Sequence, residues 1–96
     1  MNVSVWARKE HLLRGYKALL EMKGYNLTDN NPESVIIDIG DNLTEVAQKI
    51  SKNTPLVVAV FIVSVSWAGV VPQIADKTVV LREPVTAEML LNALQL

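Results

Sequence analysis

The chain has 96 residues, half of them hydrophobic and one fifth charged, and its formal net charge at pH 7 is −1. This length predicts one domain over residues 1–96, and the composition excludes an intrinsically disordered chain. The absence of cysteine excludes disulfides and thiolate metal sites, and the balanced charge argues against direct nucleic-acid contact by this domain.

Strands and helices alternate in the N-terminal half of the sequence. His11–Lys23 is predicted to be a helix because its apolar residues recur on one helical face, and Gly24 stands where a left-handed C-cap belongs. The turn-forming run DNNPE separates a weak strand candidate from a strong one. The predicted strands of this half are Val3–Trp6, Tyr25–Thr28 and Val35–Ile39.

The C-terminal half continues the alternation. Asp41 or Asn42 can cap a helix of apolar residues at helical spacing, and Leu56–Val63 is a mostly β-branched run typical of a strand buried on both faces. Thr86 is predicted to cap the last helix. The other predicted elements are a helix at Trp67–Ala75, which Gly69 and Pro72 weaken, and a strand at Thr78–Leu81.

One stretch, Leu56–Ala75, contains no charged residue and is long enough to cross a membrane as a single helix. Its first part is β-branched, and Ser64, Gly69 and Pro72 interrupt the second part. A buried strand followed by an apolar helix is therefore the preferred interpretation, and we expect no membrane association. A membrane-anchored fragment is the alternative.

Four segments of the sequence resemble the receiver domain of bacterial response regulators. They are LLRGYKALLEMKGYNL (12–27), ESVIIDIG (33–40), TPLVVAV (54–60) and VVLREPVTAEMLLNAL (79–94), which cover most of the chain in the family's order. The resemblance implies a flavodoxin-like α/β fold, a three-layer sandwich around a five-stranded parallel sheet. Because DNNPES stands in place of the family's second helix, we expect that helix to be shortened or absent.

The family phosphorylates an aspartate with the help of a magnesium ion, two further acidic residues, a lysine and a hydroxyl. In this sequence the resemblance places the phosphoacceptor at Asp38, the acidic pair at Ala7 and Arg8, the lysine at Glu83 and the hydroxyl at Val60. These replacements remove metal ligands and reverse charges, so we expect a degenerate site with no catalytic residue, no metal and no cofactor. We also expect Arg8 to pair with Asp38, Glu83 or both, and the Glu83–Pro84 peptide bond to be cis.

A receiver without its chemistry is expected to act through protein contacts. The sequence is identified as a cytoplasmic, non-enzymatic pseudo-receiver in bacterial signalling or transcription control, acting as a homodimer, with a fused output domain or with a partner signalling protein. The predicted interface comprises Trp67, Val70, Val71 and Ile74, because one helix cannot bury all of them against one sheet. Two alternatives stay open: a two-component receiver phosphorylated on Asp38, and another flavodoxin-like module that binds a ligand.

Overall fold

The structure is a computed structural model, and it describes residues 2–40 and 56–95. Within these residues it contains five strands and two helices. The strands are β1 (Asn2–Ala7), β2 (Asn26–Leu27), β3 (Ser34–Gly40), β4 (Leu56–Val63) and β5 (Ala75–Arg82), and the helices are α1 (Glu10–Met22) and α2 (Ala87–Leu94). The predicted helix after Asp41 or Asn42 lies outside the described residues.

All five strands form one parallel sheet in the order β2-β1-β3-β4-β5. This strand order is that of flavodoxin-like folds, and it confirms the predicted fold class. The chain passes from β2 to β3 through residues 28–33 without a helix, so the predicted loss of the second helix is also confirmed. Turn-forming residues in DNNPE explain why no helix forms there.

Alternate residues of the strands point to opposite faces of the sheet. The face that carries Ile36 and Val60, here called the helical face, packs against both helices. Leu20 of α1 and Leu90 of α2 are fully buried on it. Helix α1 ends at Met22, and Gly24 two residues later has φ +85°, a conformation that side chains disfavour, which agrees with the predicted left-handed glycine after this helix.

The opposite face, here called the loop face, carries Ile37 and Phe61. The predicted helix over Trp67–Ala75 is wrong: residues 64–74 form no helix, and β5 already begins at Ala75. Gly69 and Pro72 disfavour a helix here. The segment is instead held in place by the guanidinium of Arg82, which donates hydrogen bonds to its carbonyl oxygens. Residues 64–74 are called the β4–β5 segment below.

The end of the chain follows the sequence prediction closely. The hydroxyl of Thr86 accepts a hydrogen bond of 3.1 Å from the backbone N–H of Met89, which confirms the predicted N-cap of α2. The Glu83–Pro84 peptide bond is cis, as expected. No helix within residues 2–40 and 56–95 is long and apolar enough to cross a membrane.

Candidate functional site at the carboxyl edge of the sheet

Asp38 lies near the carboxyl end of β3, the edge at which doubly wound sheets place their ligands. Its residue exposure is only 3%, and it stands beside Ala7 in the register of β1 and β3. The phenol of Tyr16 donates a hydrogen bond of 3.0 Å to Oδ2 of Asp38. A buried carboxylate needs such a donor, because an unsatisfied charge in the interior is costly. The sequence analysis did not single out Tyr16.

Tyr16 reaches Asp38 from the inner side of α1, where its ring packs against the core of the helical face. Burial of the phenol raises its pKa well above the ordinary value, and the nearby carboxylates of Asp38 and Glu83 raise that pKa further. The phenol therefore keeps its proton at neutral pH and acts as a hydrogen-bond donor. The hydrogen-bond partner of Asp38 is therefore a neutral group and not a cation.

The predicted pairing of Arg8 with Asp38 or Glu83 is not formed. Arg8 follows the last residue of β1 and is exposed, and the ion pair within the described residues joins Arg14 to Glu10 at 2.9 Å on the surface of α1. The end of β1 explains the difference: Ala7, its last residue, takes the position beside Asp38, so Arg8 lies beyond the strand and is exposed. The single partner of the Asp38 side chain in this part of the chain is a phenol, not a guanidinium.

Glu83 lies directly after β5 at the same edge of the sheet, and its backbone N–H donates to the carbonyl of Val63 at 2.9 Å. Its carboxylate forms no ion pair within residues 2–40 and 56–95. It borders a cleft of about 680 Å³ that opens between the start of α1 and the loops that follow β4 and β5. The cleft is lined by Lys9, His11, Leu12, Tyr16, Ser64, Val65, Glu83, Pro84 and Val85.

Val60, where the resemblance implies the family's hydroxyl, does not lie at the carboxyl edge of the sheet. Val60 is fully buried in the middle of β4, between Ile36 and Val79 of the neighbouring strands. The first residue after β4 is Ser64, which borders the cleft. The sequence contained a signal for this position, because Ser64 is the first polar residue after the apolar run of β4.

The predicted interface residues do not share an exposed surface. Val71 is only 7% exposed and belongs to the core of the loop face, and Trp67 and Ile74 pack against the same core. Val70, in contrast, is 85% exposed. The prediction that one element cannot bury all four residues against one sheet assumed a helix that does not form. An irregular segment can turn three of them toward the sheet and leave Val70 exposed.

The residues at this edge do not fit the magnesium ion that the resemblance implies. Magnesium prefers several oxygen ligands in octahedral geometry, but Ala7 offers no ligand atom and Oδ2 of Asp38 already accepts from Tyr16. In the described part of the chain, no group of three or more acidic or histidine side chains could hold a metal ion.

No family model, no curated protein and no solved structure matches this chain.

Proposed function

We propose that this domain is a regulatory pseudo-receiver of the bacterial cytoplasm, which works through protein–protein association and carries out no catalysis. The proposal rests on the burial of Asp38 and on its hydrogen bond with Tyr16. This carboxylate stands where a receiver would be phosphorylated, yet it is almost fully buried and its Oδ2 is occupied by the Tyr16 phenol. An in-line attack on a phosphoryl donor requires an accessible carboxylate oxygen and nearby positive charge.

The charges around Asp38 also favour this proposal. Receivers neutralise the incoming phosphoryl group with a metal ion and a lysine, as the resemblance implies, whereas this chain has Ala7 beside the aspartate and Glu83 at the lysine position. Glu83 adds a negative charge at the carboxyl edge, directly after β5. A phosphoryl group at Asp38 would therefore be repelled by a carboxylate.

A magnesium titration followed by amide chemical shifts tests the metal half of this proposal. We expect no saturable shift at Asp38 in the wild type at low millimolar Mg²⁺. The variant with Ala7→Asp, Arg8→Asp and Glu83→Lys should gain such shifts, provided its spectrum shows that it is folded. Saturable shifts at Asp38 in the wild type would overturn the proposal and favour the alternative of a phosphorylatable receiver.

Strand β5 is the best-supported surface for association. It is an edge strand of eight residues without proline, and its outer edge pairs with no strand within the described residues. The opposite edge strand, β2, has only two residues. Long unprotected edges of this kind readily pair with another strand. Exposed apolar side chains accompany β5, since Val80 is 45% exposed and Val70 in the preceding segment is 85% exposed.

The partner that fits this edge is a second copy of the chain. In an antiparallel register with Val79 opposite its own copy, Asp76 of one copy lies opposite Arg82 of the other, and the two-fold axis repeats the pair. Both residues are exposed. Only Nη1 of Arg82 donates to the β4–β5 segment within the described chain, so Nη2 and Nε remain available to a carboxylate.

Sedimentation equilibrium with charge variants tests this association. We expect the wild type to dimerise at about 100 µM, and Asp76→Arg to weaken the dimer by about tenfold or more because it places two cations opposite each other. Glu21→Arg makes the same change in charge on the exposed side of α1 and should leave the dimer intact. A monomeric wild type at that concentration would contradict the homodimer and favour a fused output domain or another protein as partner.

A further inference from the structure

The cleft at the carboxyl edge is large enough to hold a small ligand. This feature does not depend on association through β5. Its volume of about 680 Å³ lies within the roughly 300–1,000 Å³ that is typical of small-molecule sites. Its walls come from three parts of the chain: the first turns of α1, the start of the β4–β5 segment and the residues after β5. A molecule bound there would contact all three.

One part of the cleft lining is acidic. Tyr16 lines the cleft and donates to the buried carboxylate of Asp38, and Glu83 lines it as well. Glu83 is half-buried, and its carboxylate has no ion-pair partner among residues 2–40 and 56–95. A partly desolvated carboxylate without a partner is favoured by a cation, which forms a charge-assisted hydrogen bond with it.

The remainder of the cleft sets the shape and polarity of the ligand. Leu12, Val65, Pro84 and Val85 provide the apolar part of the lining. The two basic side chains in the lining, Lys9 and His11, are both exposed, so water and salt screen any charge on them more strongly than that of Glu83. An amine paired with Glu83 can place its apolar part against this apolar lining.

From this arrangement we propose that the cleft binds an organic ammonium ion with an apolar body, the ammonium hydrogen-bonded to Glu83. The proposal goes beyond the regulatory role and stands without it, because it concerns the residues of the cleft and not the phosphorylation of Asp38. It would give the domain a small-molecule input. A bare divalent cation is a poor fit, since Glu83 and the covered Asp38 provide too few free oxygen ligands.

Titration of the protein with three matched probes tests the proposal: 2-phenylethylammonium, the neutral 2-phenylethanol and the anion 3-phenylpropionate. Amide chemical shifts report the site of binding. We expect 2-phenylethylammonium to give saturable shifts at Leu12, Glu83 and Val85 below about 10 mM. The alcohol should bind about tenfold more weakly, because it lacks the charge that pairs with Glu83, and the anion should bind most weakly of the three.

Two substitutions of glutamate and one of lysine complete the experiment. Glu83→Gln should weaken binding of the ammonium probe by about tenfold, whereas Glu88→Gln, which removes an exposed carboxylate of α2 outside the cleft, should leave it unchanged. Lys9→Met should not weaken it. The proposal is overturned if no probe binds saturably, if the anion binds best and loses affinity in Lys9→Met, or if Glu83→Gln binds the ammonium probe as tightly as the folded wild type.

Discussion

The helical face of the sheet is covered by α1 and α2, whereas the described cover of the loop face is the irregular β4–β5 segment. Each face has a buried apolar core, with Ile36 and Val60 on one and Ile37 and Phe61 on the other. The difference lies in what orders the cover. The helices follow local apolar periodicity and local capping, while the β4–β5 segment is held by apolar contacts with the sheet and by a cation at the far end of the strand that follows it, β5.

That cation is Arg82, whose Nη1 donates to the carbonyl of Trp67 at 2.6 Å and lies 3.4 Å from the carbonyl of Val65. Trp67 in turn packs closely over Gly69, where an added Cβ would lie 2.6 Å from the indole ring. An irregular segment held in this way keeps its shape through a few specific contacts. We therefore expect substitutions on the two faces to affect stability differently.

The largest effect is expected from truncation of the buried side chains. Leu20→Ala on the helical face should lower the free energy of unfolding by about 2–5 kcal/mol, because Leu20 is fully buried under α1. Val71→Ala on the loop face should cost about 1.5 kcal/mol, since it removes two methyl groups from a smaller contact. Urea denaturation of both variants measures the difference. Equal losses would show that the two faces contribute alike.

Tyr16 is the polar anchor of the helical face, and Tyr16→Phe should destabilise the fold by about 1–3 kcal/mol at neutral pH by leaving the buried Asp38 carboxylate without its donor. The raised pKa of Tyr16 also predicts a pH effect. Above about pH 10 the unfolded chain loses the phenolic proton and the folded chain keeps it, so stability should fall as pH rises. Urea denaturation between pH 7 and pH 11 should show that the free energy of unfolding falls with pH in the wild type, and falls less in Tyr16→Phe.

Arg82 is the corresponding polar anchor of the loop face. Arg82→Met should cost about 1–2 kcal/mol, because the carbonyls of the β4–β5 segment lose a charged donor and must turn to water. Arg14→Met is the matched control, since it removes the same group from an exposed i,i+4 pair worth about 0.3–0.5 kcal/mol. Hydrogen exchange should become faster in residues 64–74 of Arg82→Met only. Unchanged exchange there would contradict the role assigned to this side chain.

The smallest and most contrasting effects are expected at two glycines. Gly15 lies in α1 with open space around the position of a Cβ, so Gly15→Ala should stabilise the protein by about 0.5–1 kcal/mol through helix propensity. Gly69→Ala should destabilise it by about 1 kcal/mol, because the new methyl group must displace the Trp67 ring. Thermal denaturation measures both, and shifts of the same sign would remove the distinction between the two covers.

The fold could be predicted from the sequence because local sequence patterns specify most of the strands and helices. The β-branched run of β4, the apolar face of α1 and the cap at Thr86 each predict an element that the structure contains. The β4–β5 segment was predicted as a helix because its apolar residues suggested one. Its actual course depends on Arg82, whose contacts with residues 64–67 no local pattern reveals.

The candidate site was predictable in part for the same reason. The position of Asp38 near the end of an apolar strand followed from the sequence, and the structure places it in register with Ala7. Its partner did not follow, because Tyr16 reads as an ordinary apolar position of α1, and only the packing of that helix brings its hydroxyl to Asp38. The exposure of Arg8 depends on where β1 ends, which local patterns place only to within a few residues.

Exposure to acetyl phosphate with Mg²⁺, followed by intact-mass spectrometry, tests most directly whether Asp38 can be phosphorylated. Asp38→Asn, which removes the nucleophilic oxygen, is the matched control. We expect that neither the wild type nor Asp38→Asn gains the mass of a phosphoryl group, because the buried carboxylate is held by Tyr16 and lacks a metal site. A gain of one phosphoryl group in the wild type that Asp38→Asn abolishes would contradict it.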